Sequence, residues 1–195
     1  MIDSKLYLSI VFGIDSIHAS DIAKETFNNH EYPSELLYSK RMMQILELIS
    51  PSASNQIRIA AQCQHIKRWN VERSLFPMDR KGYHQWRQAV MSYQLEQTKE
   101  ILLKHKVHEG DIDEIIETLS NQGNKSYPNS QLIEDTACLV FLKWYLEPFA
   151  QKHETDKVID ILRKTHRKIS ETGLEAISKL ELSDNVKLLL QQAIG

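Results

Sequence analysis

Glycine and proline are scarce in this chain, and their scarcity limits the folds that it can adopt. Only six glycines and five prolines occur in 195 residues, and tight turns depend on these residue types. Apolar residues recur at a spacing near 3.6 through most of the sequence, which is typical of amphipathic helices. The sequence therefore predicts an all-α protein, and its length predicts a single compact multi-helix domain over residues 1–195.

The periodic segments also predict where the helices lie. A strand is an alternative for Leu6–Ile14, because periodicity does not decide so short a run. Asp79 is the expected N-cap of the helix after it, and Pro148 should end or kink its own helix. The predicted helices are Lys5–Asn28, Pro33–Ile49, Asn55–Trp69, Arg80–His105, Gly110–Ser120, Ser130–His153, Thr155–Ser170, Gly173–Leu180 and Ser183–Ile194.

Composition narrows the class of protein. The formal net charge is −2, which argues against a dedicated nucleic-acid binder but allows a local basic patch. No apolar run is long enough to span a membrane, and the N-terminus lacks the basic and small-residue features of a signal peptide. Cys63 and Cys138 lie in apolar helical contexts and are expected to be reduced core thiols. We therefore expect a cytoplasmic protein without a membrane partner.

The helix predicted at Asn55–Trp69 is apolar on most of its circumference, which is typical of a central helix. One of its apolar stripes continues as Gln64, His65 and Arg68. Buried polar side chains require partners, so this trio is a candidate binding or catalytic site. The alternative is a hydrogen-bonded core histidine with Arg68 reaching the surface. The two interpretations have equal support from the sequence.

The next stretch interleaves arginines with aromatic residues. Guanidinium groups bind phosphate or carboxylate in a bidentate manner, and aromatic rings stack on planar groups. We expect an ordered loop over Asn70–Lys81 that helps to bind an anionic molecule, although a solvated charged loop is the alternative. The candidate substrate-binding residues here are Arg73, Arg80, Tyr83, Trp86 and Arg87.

The helix predicted at Ser130–His153 carries two acids among apolar residues. Glu134 and Asp135 each lie on an apolar stripe, and a buried carboxylate must be paired, bind metal or be neutral. Both are candidate catalytic residues, and complementation of the helix dipole is the alternative. A later basic helix adds Lys164 and Arg167 as candidate anion-binding residues.

An early cluster of Asp15, His18 and Asp21 also has a spacing that could hold a metal ion. The spacing is a weak signal, and a polar helix face turned to solvent is the preferred interpretation. No glycine-rich phosphate loop and no nucleophile elbow are present.

Five strings carry a resemblance that covers nearly the whole chain in the same order: LLYSKRM, AAQCQHIKRW, ERSLFPMDRKGYHQWR, QLIEDTACLVFLKWY and DKVIDILRKTHRKIS. They resemble the family called domain of unknown function 4202. Members are sometimes labelled glutamyl-tRNA synthetase, but this chain has no nucleotide-binding fold pattern and is too short for that enzyme. Many members carry Trp at the position of His166 and His at the position of Gln94.

The family is more distantly similar to the HD-type metal phosphohydrolases, which are all-α. That similarity implies a metal centre that includes His65 and Asp135, with Mn, Fe, Ni or Zn as the divalent ion. The matching positions Tyr38 and Gln64 are poor ligands for such ions, so the similarity supports an HD-like fold better than it supports a metal.

Two functional hypotheses follow. The first is an HD-like hydrolase acting on a phosphorylated or other anionic small molecule, with an Arg-rich pocket and catalysis by His65, Glu134 or Asp135. The second is a degenerate HD-like domain that binds an anionic ligand, such as a nucleotide, without chemistry, as a sensor or accessory protein. RNA binding is a third hypothesis, which the net charge disfavours.

Overall fold

The computed structural model describes residues 2–195, and it confirms the all-α prediction apart from one short hairpin. In chain order the helices are α1 (Ser4–His18), α2 (Ser34–Ile49), α3 (Asn55–Cys63), α4 (Arg80–Lys104), α5 (Glu109–Ser120), α6 (Pro128–Val140), α7 (Leu146–Ala150), α8 (Thr155–Lys168), α9 (Glu171–Ile177) and α10 (Asp184–Ile194). The strands are β1 (Lys24–Phe27) and β2 (His30–Pro33).

The chain divides into two compact units, which are described separately. The first unit runs through Met43 and resumes at Ala53–Ser120, and the second comprises Gln44–Ser52 and Asn121–Gly195. The boundaries therefore fall within α2, just before α3 and after α5. The prediction of one domain over residues 1–195 stays a prediction.

The hairpin of β1 and β2 lies where the sequence predicted the second half of a long first helix. That prediction was wrong beyond His18. Asn28 and Asn29 both have positive φ, 49° and 63°, and they form the two-residue turn between the paired residues Phe27 and His30. Two central residues with positive φ are the requirement of a type I′ turn, which matches the twist of paired strands, and asparagine tolerates this conformation better than most residues.

Helix α3 is central to the first unit, as predicted, but it is shorter than predicted. It packs against α1 and α5 and buries Ile59, Ala60 and Cys63. It ends at Cys63 instead of Trp69, because the chain turns through Lys67, whose φ of 49° is left-handed and cannot continue an α-helix. His65 therefore lies in the turn after the helix.

The loop after α3 is ordered by its contacts with the start of α4. Asp79 accepts a hydrogen bond from the Gly82 N–H at 2.7 Å and so caps α4 as predicted. Gly82 is buried where the loop passes close to the helix. Two short 3₁₀ turns, Arg68–Asn70 and Arg73–Leu75, shape the rest of the loop.

In the second unit, α6 continues into a π-helical turn over Phe141–Tyr145 and then into α7. Pro148 lies in α7, and its missing N–H removes the hydrogen bond to the carbonyl four residues before it. The π turn accommodates this loss, and the helix continues past Pro148 to Ala150. Of the two predicted effects of Pro148, the structure therefore shows a local distortion before the proline and not an end of the helix at it.

Serine side chains set the helix starts in the last part of the chain. Ser170 accepts from the Gly173 N–H and Ser183 accepts from the Val186 N–H, which is typical of N-caps. Helix α8 packs against α6 and α10.

Each unit has its own apolar core. The largest fully buried side chains of the first unit are Ile10, Ile14, Met42, Ile59, Ile66, Leu102 and Ile115. Those of the second unit are Ile45, Leu46, Ile133, Leu139 and Leu142. Cys63 and Cys138 are buried and free, as predicted. Within residues 2–195, no helix has the length and apolar character needed to cross a bilayer.

We expect Gly82→Ala to destabilise the first unit. An added Cβ would lie 2.0 Å from the Pro77 carbonyl oxygen, so the loop would have to move away from α4. The free energy of unfolding, measured by urea denaturation, should fall by about 1–3 kcal/mol.

The matched control is Gly110→Ala, because the nearest atom to its Cβ, His108 Nδ1, lies at 3.5 Å. This change should leave stability equal or slightly higher. An equal loss in both variants would show that the close contact with Pro77 is not the cause.

Candidate functional site

His65 is held between an aromatic ring and two charged side chains in the first unit. Its ring stacks on Tyr38 of α2, with centroids 4.0 Å apart and planes 12° apart. The Tyr38 hydroxyl donates to Gln64 Oε1 at 2.8 Å, so Gln64 supports the stacked ring. The imidazole remains 21% exposed, which leaves it accessible to a small molecule.

Both ring nitrogens of His65 have a charged neighbour. Nδ1 lies 2.9 Å from a carboxylate oxygen of Glu35, and the Arg68 Nη1 lies 3.0 Å from Nε2. A guanidinium only donates, so Nε2 must accept, and the proton therefore lies on Nδ1 and points to Glu35. The lone pair of Nε2 is the basic atom of the site.

Burial and two neighbouring arginines favour the neutral form of His65. Burial lowers the pKa of His65 below its ordinary value of 6.5, and the positive charges of Arg68 and Arg87 lower this pKa further. Glu35 opposes both effects through its hydrogen bond. Burial alone would raise the pKa of Glu35, but the bond from His65 and the charge of Arg68 outweigh burial, and the pKa is lowered. The pair is thus a carboxylate and a neutral imidazole.

Arg68 is positioned by the aromatic residues that follow it. Its guanidinium carbon lies 5.1 Å from the centroid of the Trp86 ring, a cation–π distance. Trp86 donates to the Val71 carbonyl at 2.8 Å, and the Tyr83 ring lies 5.8 Å from the Trp86 ring. The structure therefore brings the predicted residues Gln64, His65, Arg68, Trp86 and Tyr83 into one continuous set of contacts.

The remaining arginines of the predicted set differ in role. Arg73 donates to the carbonyls of Phe76 and Asp79, at 3.0 and 3.4 Å, so it holds the loop together. Arg80 and Arg87 are exposed on α4. Arg87 is close enough to His65 to influence its pKa, and it is the second cation available to an anion bound there.

His18 and Asp21 hold the ends of the two helices that flank the site. The preferred interpretation of a solvent-facing early cluster was wrong, since His18 is 0% and Asp21 is 2% exposed. His18 Nε2 donates to the Gln62 carbonyl at 2.8 Å, which satisfies a carbonyl at the end of α3. Asp21 accepts from the backbone N–H of Glu35 at 3.1 Å, which fixes the start of α2 and with it the Glu35 side chain.

Asp135 belongs to the second unit and is almost fully buried, at 3% exposure. Its carboxylate accepts from the Gln131 side chain and from the Ser170 N–H, both at 2.8 Å, and from the Ser170 hydroxyl. These bonds tie α6 to the start of α9. The catalytic and metal roles of Asp135 stay predictions.

The other predicted residues of the second unit have surface partners. Glu134 pairs with Lys168 at 2.9 Å, and Lys164 pairs with Asp160 one turn earlier on α8. Arg167 is exposed. Their participation in an anion-binding or catalytic centre stays a prediction.

The contacts around His65 do not fit a metal centre. Arg68 occupies the Nε2 lone pair and Glu35 occupies Nδ1, while Ser170 occupies both oxygens of Asp135. Among residues 2–195, no group of three or more His, Cys, Asp or Glu side chains is arranged to hold a metal ion. For this reason no step proposed below uses a metal ion. The Mn, Fe, Ni or Zn centre that the resemblance implies stays a prediction.

A family model described as a domain of unknown function, DUF4202, matches residues 10–190. The chain belongs to the DUF4202 family. No curated protein and no solved structure gives a significant match. The similarity of this DUF4202 protein to HD-type phosphohydrolases stays a prediction.

Sequence reasoning missed three residues that build this DUF4202 site: Glu35, His18 as a buried donor, and Asp21 as a cap. Glu35 lies in the first turn of α2, where an acid is ordinarily explained by the helix dipole. The available signal was that Glu35 lies one turn before Tyr38, a position that the expected HD-type similarity groups with Gln64 and His65.

His18 and His65 should make the protein less stable in acid. Burial lowers the pKa of His18 and of His65 below 6.5, whereas both titrate near about 6.5 in the unfolded chain. Below about pH 6.5 the unfolded state binds more protons, so the free energy of unfolding should fall as the pH falls towards the lowered folded pKa values. Urea denaturation across this range measures the slope.

The variant His18→Gln should flatten that slope and lower stability near pH 7.5 by about 1–3 kcal/mol, because a buried hydrogen bond is disturbed. The exposed His84 provides the control, and His84→Gln should leave the slope as it is. An unchanged slope in His18→Gln would contradict the assignment of His18 as a buried neutral group.

Proposed function

We propose that this DUF4202 protein is a hydrolase for a phosphorylated or other anionic small molecule, with His65 as the general base. One observation carries the proposal: the hydrogen-bonded chain from Glu35 through His65 to Arg68. An imidazole oriented by a carboxylate is a common arrangement for a general base. Here its basic nitrogen is covered by a cation that an anionic ligand would attract.

The anion-binding part of the proposal depends on Arg68 and Arg87. Arg68 uses one N–H on His65, so its other donors remain available to an anion, and Trp86 supports the guanidinium plane. Arg87 is exposed and raises the positive potential at His65. Arginine forks are well suited to phosphate and carboxylate oxygens.

Binding of an anion would also activate the base. An anion that draws the Arg68 guanidinium to itself removes the donor from Nε2 and frees that lone pair. It also neutralises the positive charges that lower the pKa of His65, while Glu35 remains to raise it. The imidazole therefore becomes a stronger base once the substrate is bound.

The chemical step would then be ordinary general-base hydrolysis. Nε2 of His65 accepts a proton from water as the water oxygen bonds to the electrophilic phosphorus or carbon. Glu35 stabilises the resulting imidazolium. The bond to the leaving oxygen breaks, and that oxygen takes the proton from Nε2, which restores the neutral imidazole.

Anion binding without catalysis is the second candidate. The observation that favours it is the same Arg68 contact, because it leaves His65 without a free lone pair unless the guanidinium moves. In this function the protein would be a sensor or accessory protein for an anionic ligand. Turnover separates the two functions, while anion binding is common to both.

Both candidate functions require anion binding at Arg68 and Arg87. We therefore expect Arg68→Gln and Arg87→Gln to weaken the binding of pyrophosphate, measured by calorimetry. Each variant should lose about tenfold or more in affinity, because a charge-assisted hydrogen bond contributes roughly 1.5–3 kcal/mol. Arg163→Gln on α8 is the matched control, since Arg163 is an exposed arginine that contacts the Ala193 carbonyl. Equal losses in all three variants, or no binding to the wild type, would contradict the anion site.

If the protein is a hydrolase, kcat/KM for a panel of phosphoesters should depend on pH. kcat/KM should fall in acid with an apparent pKa below 6.5, since protonation of Nε2 removes the base. Glu35→Gln should move this acid limb to lower pH, because it removes the group that raises the pKa. Arg87→Gln should move it to higher pH. His65→Gln should lower kcat by about 10²–10⁴-fold.

If pyrophosphate binding depends on Arg68 but no ester in the panel is turned over, the protein binds anions without catalysis and the hydrolase proposal is wrong. If the acid limb of kcat/KM lies at the same pH in the wild type, Glu35→Gln and Arg87→Gln, then His65 is not the general base.

A further inference from the structure

Tyr38 covers one face of the His65 imidazole, and the hydrolysis steps proposed above do not use it. The two ring centroids lie 4.0 Å apart and the ring planes differ by 12°, so the contact is a parallel stack. The face of an aromatic ring carries negative electrostatic potential, and a cation within about 6 Å of the ring centroid is attracted to that face. The phenol ring is therefore placed to favour a positive charge on the imidazole.

The stack also fixes an orientation that the hydrogen bond to Glu35 leaves free. This bond, at 2.9 Å from Nδ1, holds one edge of the imidazole, but the ring can tilt about the line from its Cβ to the carboxylate oxygen. A parallel stack opposes that tilt, because tilting would separate the two faces. In the proposed reaction Arg68 leaves Nε2 when an anion binds, so the stack is the contact that then keeps the plane of the ring.

Glu35 and Tyr38 reach the imidazole from one face of α2, since residues three apart are neighbours on a helix. Asp21 fixes the start of this helix by accepting from the Glu35 N–H. The Tyr38 hydroxyl donates to Oε1 of Gln64 at 2.8 Å, and Gln64 directly precedes His65 in the chain. The phenol is thereby tied to the turn that carries the imidazole.

We propose that Tyr38 is a positioning residue for His65: its ring holds the plane of the imidazole and stabilises the imidazolium that forms when Nε2 takes a proton. The consequence for turnover rests on the proposed hydrolase function, whereas the effect on the imidazole itself does not. Stabilisation of the imidazolium strengthens the base. The fixed plane directs the Nε2 lone pair at the water that loses its proton.

Other ionisable groups also act on the imidazole, and they come from every element packed around it: Glu35 of α2, Arg68 in the turn, Arg87 of α4 and His18 of α1. Burial lowers the pKa of His65, the hydrogen bond to the carboxylate raises it, and the two guanidinium groups lower it further. All these groups remain when Tyr38 is replaced. A change in the pKa of His65 would therefore report the loss of the aromatic face.

The test compares Tyr38→Leu with Tyr38→Phe. Leucine keeps an apolar cover over the imidazole but has no aromatic face, whereas phenylalanine keeps the face and loses only the bond to Gln64. The pKa of His65 is measured without ligand by pH titration of its ring C–H signals in NMR spectra, which His65→Gln assigns. In Tyr38→Leu the ring should titrate at lower pH than in the wild type, and in Tyr38→Phe at the wild-type pH. Tyr38→Met replaces the leucine variant if that variant does not unfold cooperatively in urea.

For any ester of the panel that is turned over, Tyr38→Leu should lower kcat by about tenfold or more and move the acid limb of kcat/KM to lower pH. Tyr38→Phe should keep both close to the wild type. The matched control is Tyr93→Leu, because Tyr93 is a half-buried tyrosine of the same unit whose hydroxyl accepts from Asn70. This control should leave the pKa of His65 and kcat as they are.

An equal or higher pKa of His65 in Tyr38→Leu, or a shift of the same size in Tyr38→Phe or Tyr93→Leu, would overturn the proposal. A lowered pKa with unchanged kcat would overturn the positioning role. If the pKa changes as expected but no ester is turned over, the effect of Tyr38 on the imidazole is confirmed and the hydrolase function fails instead.

Discussion

The end of α3 at Cys63 is the constraint on which the candidate site depends. His18 satisfies the Gln62 carbonyl at this end, and the left-handed Lys67 then reverses the chain. If the helix continued, the His65 side chain would project outward from it and lean towards its N-terminus. The turn instead places the imidazole where α2 supplies Glu35 on one nitrogen and Arg68 covers the other. A conformation that costs roughly 1 kcal/mol at Lys67 is thus compensated by interactions around it.

Local signals in the sequence predicted most helices. The predictions failed where a segment depends on interactions with residues far away in the sequence. The start of α4 follows from Asp79, and the bounds of α5 and α10 agree with the predictions within about two residues, the usual uncertainty of helix ends. The hairpin was missed because its stability comes from elsewhere: Arg41 of α2 pairs with Glu25 and lies over the Phe27 ring. Helical periodicity before the Asn28–Asn29 turn gave no indication of that partner.

The site was predicted in the stretch from Gln64 to Arg87, but not in the part that α2 supplies. Gln64, His65 and Arg68 were found because they extend an apolar stripe. Glu35 is thirty residues away from His65, and no pattern in a single sequence shows that α2 brings it to the imidazole. Asp135 was singled out correctly as buried, but burial alone did not show that Ser170 and Gln131 would saturate its carboxylate.

The two buried thiols have a practical consequence. Burial raises the pKa of Cys63 and of Cys138 to about 12, so at neutral pH neither supplies the thiolate that reacts with maleimides. A cysteine introduced at the exposed Ser74 would then be labelled selectively without removing either native thiol. Spin labels or fluorophores can therefore be attached to the loop in an otherwise native sequence, and its motions followed directly.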